Sequence, residues 1–220
     1  MSLVQATFTS NPLTLPASLE EANAELVGAS PEAIIAWGLA RARNPVISTN
    51  FRPHSAALVH MVTRACPGIP VIWVDTGYNT PATYRYVEAL RKRLDLNLKV
   101  YSPHVSSARR AALGGIPQPD VPAFADFSRE TKIEPFERAF NEIKPDVWFT
   151  GVRADQSEFR AGLGIVSRGA HNTLRVAPVH AWKERDLEAY LVAHGVPDND
   201  DYYDPTKPGA KLECGLHYVI

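Results

Sequence analysis

The sequence has few cysteines, no long apolar run and almost no net charge. Only two of its 220 residues are cysteines, Cys66 and Cys214, and they form no CxxC pair. Two thiols exclude a disulfide-rich scaffold, and they are too few for an iron–sulfur cluster, which usually needs about four. A formal net charge of -1 indicates no preference for nucleic acid or an anionic membrane. No stretch reaches the length that spans a bilayer.

Signals for export and for metal binding are also missing from the sequence. Residues 1–16 contain no basic stretch followed by an apolar run, so we expect no signal peptide. With so few cysteines, the chain is predicted to be a soluble, cytoplasmic protein. The histidines show no metal-ligand spacing, and we therefore predict no metal site and no bound cofactor.

Short apolar runs alternate with segments of helical periodicity, which predicts an α/β fold. We expect an open, mostly parallel sheet with helices on both faces. The proline-rich residues 117–128 are predicted to be irregular. One domain is expected over residues 1–196, and residues 197–220 are expected to form a mobile C-terminal arm. Strands are predicted at 46–48, 71–74, 98–101, 146–150 and 174–177, and helices at 31–43, 55–65, 81–94, 134–143 and 184–194.

Ligands of such sheets bind beyond the carboxyl ends of the strands, which singles out three turns. The first turn, residues 48–55, leads into a helix N-terminus, where backbone N–H groups and the helix dipole attract anions. Arg52 adds a positive charge that suits phosphate. The GxxxxGK[ST] pattern of a Walker A loop is absent. On this segment alone, an ordinary capped turn is the more common arrangement.

The second turn, residues 75–80, places the carboxylate of Asp75 at the end of an apolar strand. Asp75 could cap the turn, or it could hydrogen-bond a base or a ribose, and the residues leave both open. The third turn, residues 151–160, contains Arg153 and Arg160, and arginine forks match phosphate and sulfate oxygens. A solvated loop in which Arg153 pairs with Asp155 would be the commoner arrangement.

A cysteine near the C-terminal end has a setting that favours reactivity. Cys214 lies between Glu213 and Gly215, and His217 follows three positions later. The thiolate is the nucleophilic form of cysteine, and a nearby histidine raises its fraction. An exposed thiol without a role is the competing interpretation.

Five segments together, in this order, resemble the phosphoadenylyl-sulfate (PAPS) reductases of assimilatory sulfate reduction. The resemblance covers residues 34–217 and is strongest in the tail. Each motif is short, but five in register are specific. The segments are residues 48–55, Asp75-Thr76-Gly77-Tyr78, Lys132-Ile133-Glu134-Pro135, residues 151–157 and Glu213-Cys214-Gly215-Leu216-His217.

The resemblance implies an adenine nucleotide α-hydrolase-like fold and a cluster-free, thioredoxin-dependent reductase. The Cys214 thiolate, favoured by His217, would attack the sulfur of the sulfonucleotide, expel adenosine 3′,5′-bisphosphate and form S-sulfocysteine. Thioredoxin or glutaredoxin, the implied electron donor, would then release sulfite. The family also suggests a homodimer. The candidate substrate-binding residues are Ser48, Thr49, Asn50, Arg52, Ser55, Asp75, Thr76, Gly77, Lys132, Gly151, Arg153, Gln156 and Arg160.

Three other functions remain open at this point. A cluster-free adenylyl-sulfate reductase would differ only in its substrate, although the absence of paired cysteines before Lys132 favours PAPS by analogy. An ATP-pyrophosphatase-type adenylyltransferase would share the fold, but Asn50 and His54 replace the glycine and aspartate of its loop, and it would not need Cys214. A non-catalytic nucleotide-binding module would not need Cys214 either.

Two segments depart from the pattern of the family. Arg52-Pro53 stands where a glycine commonly follows the phenylalanine of the first turn. If that position needs a positive φ, we expect backbone strain at Arg52. The stretch between Gly195 and Lys211 is also much shorter than the corresponding segment of the family, which could change a contact with the substrate.

Overall fold

The computed structural model describes residues 18–206 of the chain. Its strands are β1 (Pro45–Thr49), β2 (Pro70–Val74), β3 (Asn97–Tyr101), β4 (Val147–Phe149), β5 (Val166–Arg168) and β6 (Leu174–Val176). Its helices are α1 (Leu19–Leu26), α2 (Pro31–Leu39), α3 (Ser55–Ala65), α4 (Pro81–Leu94), α5 (Ser107–Ala112), α6 (Ala123–Ser128), α7 (Glu134–Ile143), α8 (Glu158–Ala161) and α9 (Glu184–His194).

The strands form one sheet in the order β3-β2-β1-β4-β6-β5. All neighbouring strands are parallel except β5, which pairs antiparallel to β6 at one edge. The expected open, mostly parallel sheet is therefore confirmed. The sequence analysis did not predict β5, because three residues at a sheet edge are too few to show a strand pattern.

Helices cover both faces of the sheet, as the alternating elements predicted. Along each strand, successive side chains point to opposite faces. Ile47 and Phe149 belong to a core cluster that includes residues of α1, α2, α3, α4 and α9, whereas Val46 and Trp148 belong to a second cluster with residues of α7. Strands that are buried on both faces read as continuous apolar runs, which is why the sequence revealed them.

Besides β5, several helical segments differ from the predicted secondary structure, including the unpredicted α5 and α8. Helix α2 ends at Leu39 rather than near Arg43, because the Asp146 carboxylate accepts hydrogen bonds from the backbone N–H groups of Arg43 (2.7 Å) and Asn44 (2.9 Å). These bonds turn the chain into β1. Residues 117–128 are not irregular throughout, since α6 begins at Ala123. The sequence analysis also missed α1, whose first N–H groups bond to Ser18 Oγ.

The first ten residues of the predicted arm lie against the domain. The Tyr86 hydroxyl donates to the carbonyl of Pro197 (3.0 Å), and Asn199 Nδ2 donates to the carbonyl of Phe51 (2.7 Å). The Thr83 hydroxyl donates to the carbonyl of Asp201 (2.5 Å). The rest of the arm lies outside the described residues, so its mobility and the division of the chain at residue 197 stay predictions.

Within residues 18–206, none of the helices combines the length and the apolar composition that crossing a membrane requires.

We expect Phe140→Ala to destabilise the fold strongly, because Phe140 is buried between α7 and the sheet. Its ring centroid lies 4.5 Å from that of Phe136 and 5.3 Å from that of Trp148. Removing a buried phenylalanine ring typically lowers the free energy of unfolding by about 3–5 kcal/mol, which urea denaturation would measure. Val192→Ala on the exposed face of α9 should change it by less than about 0.5 kcal/mol. Equal losses in the two variants would contradict this assignment of the core.

Candidate functional site

The carboxyl ends of β1, β2 and β4 open into one cleft of about 1000 Å³. Parallel sheets bind their ligands at this edge, and the volume suits a nucleotide-sized molecule. Most of the predicted substrate-binding residues line the cleft. They are Ser48, Thr49, Asn50, Arg52, Ser55, Thr76, Lys132, Gly151, Arg153, Gln156 and Arg160.

Side-chain hydrogen bonds within the first turn fix its shape. Thr49 Oγ1 accepts from the N–H of Phe51 (3.1 Å), and Asn50 Oδ1 accepts from the N–H of Arg52 (3.3 Å). The Ser55 hydroxyl donates to the carbonyl of Arg52 (2.7 Å). At the strand end, Ser48 Oγ accepts from Trp148 Nε1 (2.8 Å). These polar side chains therefore shape the turn in addition to facing the cleft.

The condition under which strain was expected at Arg52 is not met, because the positive φ angles of this turn fall on Phe51 and His54. Phe51 has φ 53° and His54 has φ 66°, whereas Arg52 is not in the left-handed region. The ring of Phe51 is fully buried and packs edge-on against Trp73, with a centroid distance of 5.4 Å. Left-handed backbone at such residues costs about 1–3 kcal/mol and is kept only where the surroundings hold it.

The arm holds His54 in this conformation. The Asp198 carboxylate accepts from the backbone N–H of His54 at 2.8 Å and 3.0 Å, where α3 has no side-chain cap of its own. The imidazole of His54 lies 3.4 to 3.6 Å from carboxylate oxygens of Asp198, Glu184 and Glu188. Side-chain atoms of His54, Glu184 and Glu188 that could bind a metal ion lie within 4.8 Å of one another. Because His54 and the two glutamates are far apart in the sequence, the spacing of the histidines could not reveal this cluster. The absence of a metal site stays a prediction.

Asp75 caps the second turn, which was one of the two roles left open for it. Its Oδ1 accepts from the N–H of Gly77 (3.0 Å), from Asn79 Nδ2 (2.9 Å) and from the Tyr84 hydroxyl (2.8 Å). Burial and the bond to Asp75 raise the pKa of Tyr84 to about 12. Asp75 and Gly77 do not line the cleft, whereas Thr76 and Asn79 of the same turn do.

The third turn buries its two arginines rather than leaving them in solvent. Arg153 and Arg160 are each only 7% exposed. Arg153 Nε donates to Asp155 Oδ1 (3.0 Å), and the guanidinium of Arg160 bonds to Gln156 Oε1. The pairing of Arg153 with Asp155 was expected, but within a solvated loop. An arginine has about five N–H donors, so one carboxylate contact leaves capacity for phosphate oxygens.

Lys132 forms a buried ion pair with the arm. It lies in the π-helical turn Arg129–Ile133, a kind of turn that often re-aims a side chain at a functional site. Its Nζ lies 2.5 Å from Asp204 Oδ2 and 3.3 Å from Thr206 Oγ1. Burial would raise the pKa of the Asp204 carboxyl, but the charge of Lys132 and the bonds from Lys132 and Thr206 hold it below its usual value.

The sequence analysis expected the stretch after Gly195 to contact the substrate, but it named none of the arm residues that line the cleft. Asp200, Tyr202, Tyr203 and Asp204 face it. Four aspartates within residues 198–204 were the available signal, but an acidic stretch usually indicates solvent. Within residues 18–206, the charged residues that line the cleft are the cations Arg52, Lys132, Arg153 and Arg160 and the carboxylates Asp155, Glu184, Asp200 and Asp204.

The structure describes only one of the two cysteines. Cys66 is buried at the end of α3, and burial raises the pKa of its thiol, which makes it a poor nucleophile. Cys214 and His217, the predicted catalytic residues, lie outside the described residues.

Two comparisons with known sequences point to the same family. The sequence profile of the phosphoadenosine phosphosulfate reductase domain matches residues 44–204. A phosphoadenosine 5′-phosphosulfate reductase of Synechococcus is 35% identical over 232 positions, covering 94% of this chain and 99% of the relative.

Two solved structures share the fold. A phosphate complex of the PAPS reductase from Candida auris gives a TM-score of 0.73 at 22% identity, covering 86% of this chain and 92% of that chain. The FMN adenylyltransferase of Candida glabrata gives 0.57 at 14% identity, covering 86% of this chain and 61% of that chain. At these identities the two structures are evidence for the fold alone, and they confirm the expected adenine nucleotide α-hydrolase-like class.

We expect Asp198→Ala to destabilise the protein by about 0.5–2 kcal/mol, the usual effect of losing a helix N-cap. The Asp198 carboxylate accepts from the N–H groups of His54 and Asn199. No other side chain in residues 18–206 accepts a hydrogen bond from these two groups. Asp201→Ala is the matched control, because Asp201 is exposed and bonds to Thr83 through its backbone carbonyl. Urea denaturation would measure both. A loss in Asp201→Ala as large as that in Asp198→Ala would contradict this role of the carboxylate.

Proposed function

We propose that this chain, which belongs to the phosphoadenosine phosphosulfate reductase family, reduces 3′-phosphoadenylyl sulfate to sulfite and adenosine 3′,5′-bisphosphate. The observation that carries the proposal is the convergence of Arg52, Lys132, Arg153 and Arg160 on one cleft at the carboxyl edge of the sheet. A sulfonucleotide carries several phosphate and sulfonate oxygens, and such oxygens are what buried arginines and lysines bind.

In the first step, the thiolate of Cys214 attacks the sulfur of the sulfonucleotide. A bond forms between the two sulfur atoms, and the bond between sulfur and the phosphate oxygen breaks. Adenosine 3′,5′-bisphosphate leaves with the electron pair of that bond, and Cys214 becomes S-sulfocysteine. The leaving group is a phosphate and needs little activation, so the cleft residues act mainly by positioning the anions and stabilising charge.

In the second step, a thiolate of thioredoxin or glutaredoxin attacks the Cys214 sulfur. Sulfite leaves with the electron pair of the sulfur–sulfur bond, and a mixed disulfide forms. The second thiol of the donor then displaces Cys214, which returns to the thiolate. The donor loses two electrons as it becomes a disulfide, and these reduce the sulfonate sulfur to sulfite. We place this assimilatory reaction in the cytoplasm, where dithiol donors are kept reduced.

The cleft residues take distinct parts in this scheme. Arg153, Arg160 and Lys132 bind phosphate and sulfonate oxygens, and Arg52 adds charge at the N-terminal end of α3. Thr49, Asn50 and Ser55 hold the first turn in shape through bonds to the backbone of Phe51 and Arg52, and Ser48 accepts from the Trp148 indole. His217 favours the thiolate of Cys214. A homodimer, which the family suggests, stays a prediction.

The adenylyltransferase alternative gains no support beyond the fold. The likeness to the FMN adenylyltransferase is one of architecture at 14% identity. The first turn has Asn50 and His54 in place of the glycine and aspartate that would handle ATP and magnesium. His54 is engaged instead by Asp198 and by the carboxylates of α9.

We expect Cys214→Ser to bind 3′-phosphoadenylyl sulfate but to release no sulfite. Intact-protein mass spectrometry of the reduced protein mixed with this nucleotide should show a sulfonate-sized adduct that thioredoxin discharges. The same experiment with adenylyl sulfate would rank the two substrates by the rate of adduct formation. Cys66→Ala is the control and should keep the adduct, because Cys66 is buried far from solvent. An adduct on Cys214→Ser, or none on the parent protein, would refute the covalent mechanism.

We expect Arg153→Ala to raise the KM for 3′-phosphoadenylyl sulfate by about 10- to 100-fold, since charged hydrogen bonds contribute about 1.5–3 kcal/mol. The substitution removes a cation from the cleft and leaves Asp155 facing the ligand. Arg168→Ala removes a cation from the exposed end of β5, where it bonds to Asn172, and should leave the KM unchanged. Similar effects in both variants would mean that the loss comes from overall charge rather than from the cleft.

A further inference from the structure

The ion pair with Asp204 engages Lys132, a cation that binds substrate oxygens in the proposed function. We propose that Asp204 is an internal competitor of the substrate: its carboxylate holds the place of an anionic group of the sulfonucleotide on Lys132, and the nucleotide binds by exchanging with it. This inference rests on the proposed function, since it concerns how the same cleft admits its substrate.

The geometry of the pair is that of a bound anion. Asp204 Oδ2 lies 2.5 Å from Lys132 Nζ, and the two side chains are only 7% and 9% exposed. The other oxygen, Oδ1, accepts from the N–H (3.0 Å) and the hydroxyl (2.6 Å) of Thr206. A phosphate or sulfonate group offers the same pattern of oxygens to an ammonium group.

Burial determines how this contact can open. Removing one partner of a buried ion pair leaves an uncompensated charge, which is strongly unfavourable. Asp204 therefore leaves Lys132 readily only when another anion replaces it. A sulfonucleotide in the cleft provides that anion, whereas water does not.

The charges of the cleft favour the same exchange. Among the charged residues of 18–206 that line it, four cations face four carboxylates, two of which, Asp200 and Asp204, belong to the arm. While the arm is in place, these carboxylates offset part of the attraction of the cations for a polyanion. When Asp204 moves out, one negative charge leaves the cleft as the nucleotide enters.

Hydrogen bonds also hold residues 197–201 of the arm to the domain, ahead of Asp204. Asp198 is bonded to the backbone of His54, and Asn199 Nδ2 donates to Phe51 and to the Thr83 hydroxyl. The carbonyl of Asp201 accepts from the hydroxyls of Thr80 and Thr83. Residues 202–206 can therefore move away from Lys132 while residues 197–201 keep their contacts.

The alternative role for Asp204 is that of a permanent anchor, which keeps the arm on the cleft in every state. The two roles predict opposite effects of removing the carboxylate. A competitor weakens binding of the nucleotide, so that its removal tightens binding. An anchor supports the shape of the cleft, so that its removal weakens binding or leaves it unchanged.

The experiment measures the dissociation constant of 3′-phosphoadenylyl sulfate by calorimetry on the full chain carrying Cys214→Ser, which prevents turnover. Adding Asp204→Asn should tighten binding by roughly tenfold or more, because the arm then no longer offers Lys132 a carboxylate that competes with the nucleotide. Asp201→Asn is the matched control: it removes one negative charge from the same arm at an exposed position and should leave the constant unchanged. Lys132→Met combined with Asp204→Asn should lose the gain.

The outcomes separate this inference from the proposed function. Binding that is unchanged or weaker in Asp204→Asn, with a melting temperature equal to that of the parent, would overturn the exchange and leave the reductase proposal standing. An equal gain in Asp201→Asn would also overturn it, because the effect would then be one of overall charge. No binding of the nucleotide to any of the variants would overturn the proposed function and the exchange with it.

A second measurement needs no substitution in the arm. Hydrogen exchange of the peptide that covers residues 197–206, followed by mass spectrometry, should become faster at residues 202–206 when the nucleotide is added to the Cys214→Ser chain. Slower exchange there would mean that the arm closes on the ligand with Asp204 in place, which would overturn the proposal.

Discussion

The parallel arrangement of β1, β2 and β4 is the constraint on which the cleft depends. Parallel strands end at the same edge of a sheet, so turns that are far apart in the sequence meet there. The turn after β1, the turn after β2 and the turn after β4 together supply about half of the described residues that face the cleft. Lys132 reaches the same edge from the π-helical turn before α7, which packs on the opposite face from α3.

Buried cations determine how this edge is organised. A buried arginine or lysine needs an anionic or hydrogen-bonding partner, because leaving water is otherwise unfavourable. Arg153 has Asp155, Arg160 has Gln156, and Lys132 has Asp204. In the function we propose, these cations turn to substrate oxygens, and the pair formed with the arm would link ligand binding to the segment preceding Cys214.

Much of the fold could be predicted because its strands are buried on both faces and its helices have clear starts. Ser30 and Thr80 each cap a helix ahead of a proline, and both helices begin as predicted. The failures have local causes that depend on distant partners. Helix α2 ends early because of Asp146, and the left-handed backbone of the first turn falls on Phe51 and His54, where Trp73 and Asp198 hold it. None of these three partners is near in the sequence.

The sequence by itself determined the class of fold, the three turns at the ligand edge and the residues that tie the chain to its family, because these follow from local patterns of apolarity, capping and motif spacing. Only the tertiary structure decided what each polar residue contacts. It made Asp75 a cap rather than a residue of the cleft, and it put Asp204 on Lys132, 72 positions away. A pairing of two buried charges depends on three-dimensional proximity, and no periodicity in the sequence encodes it.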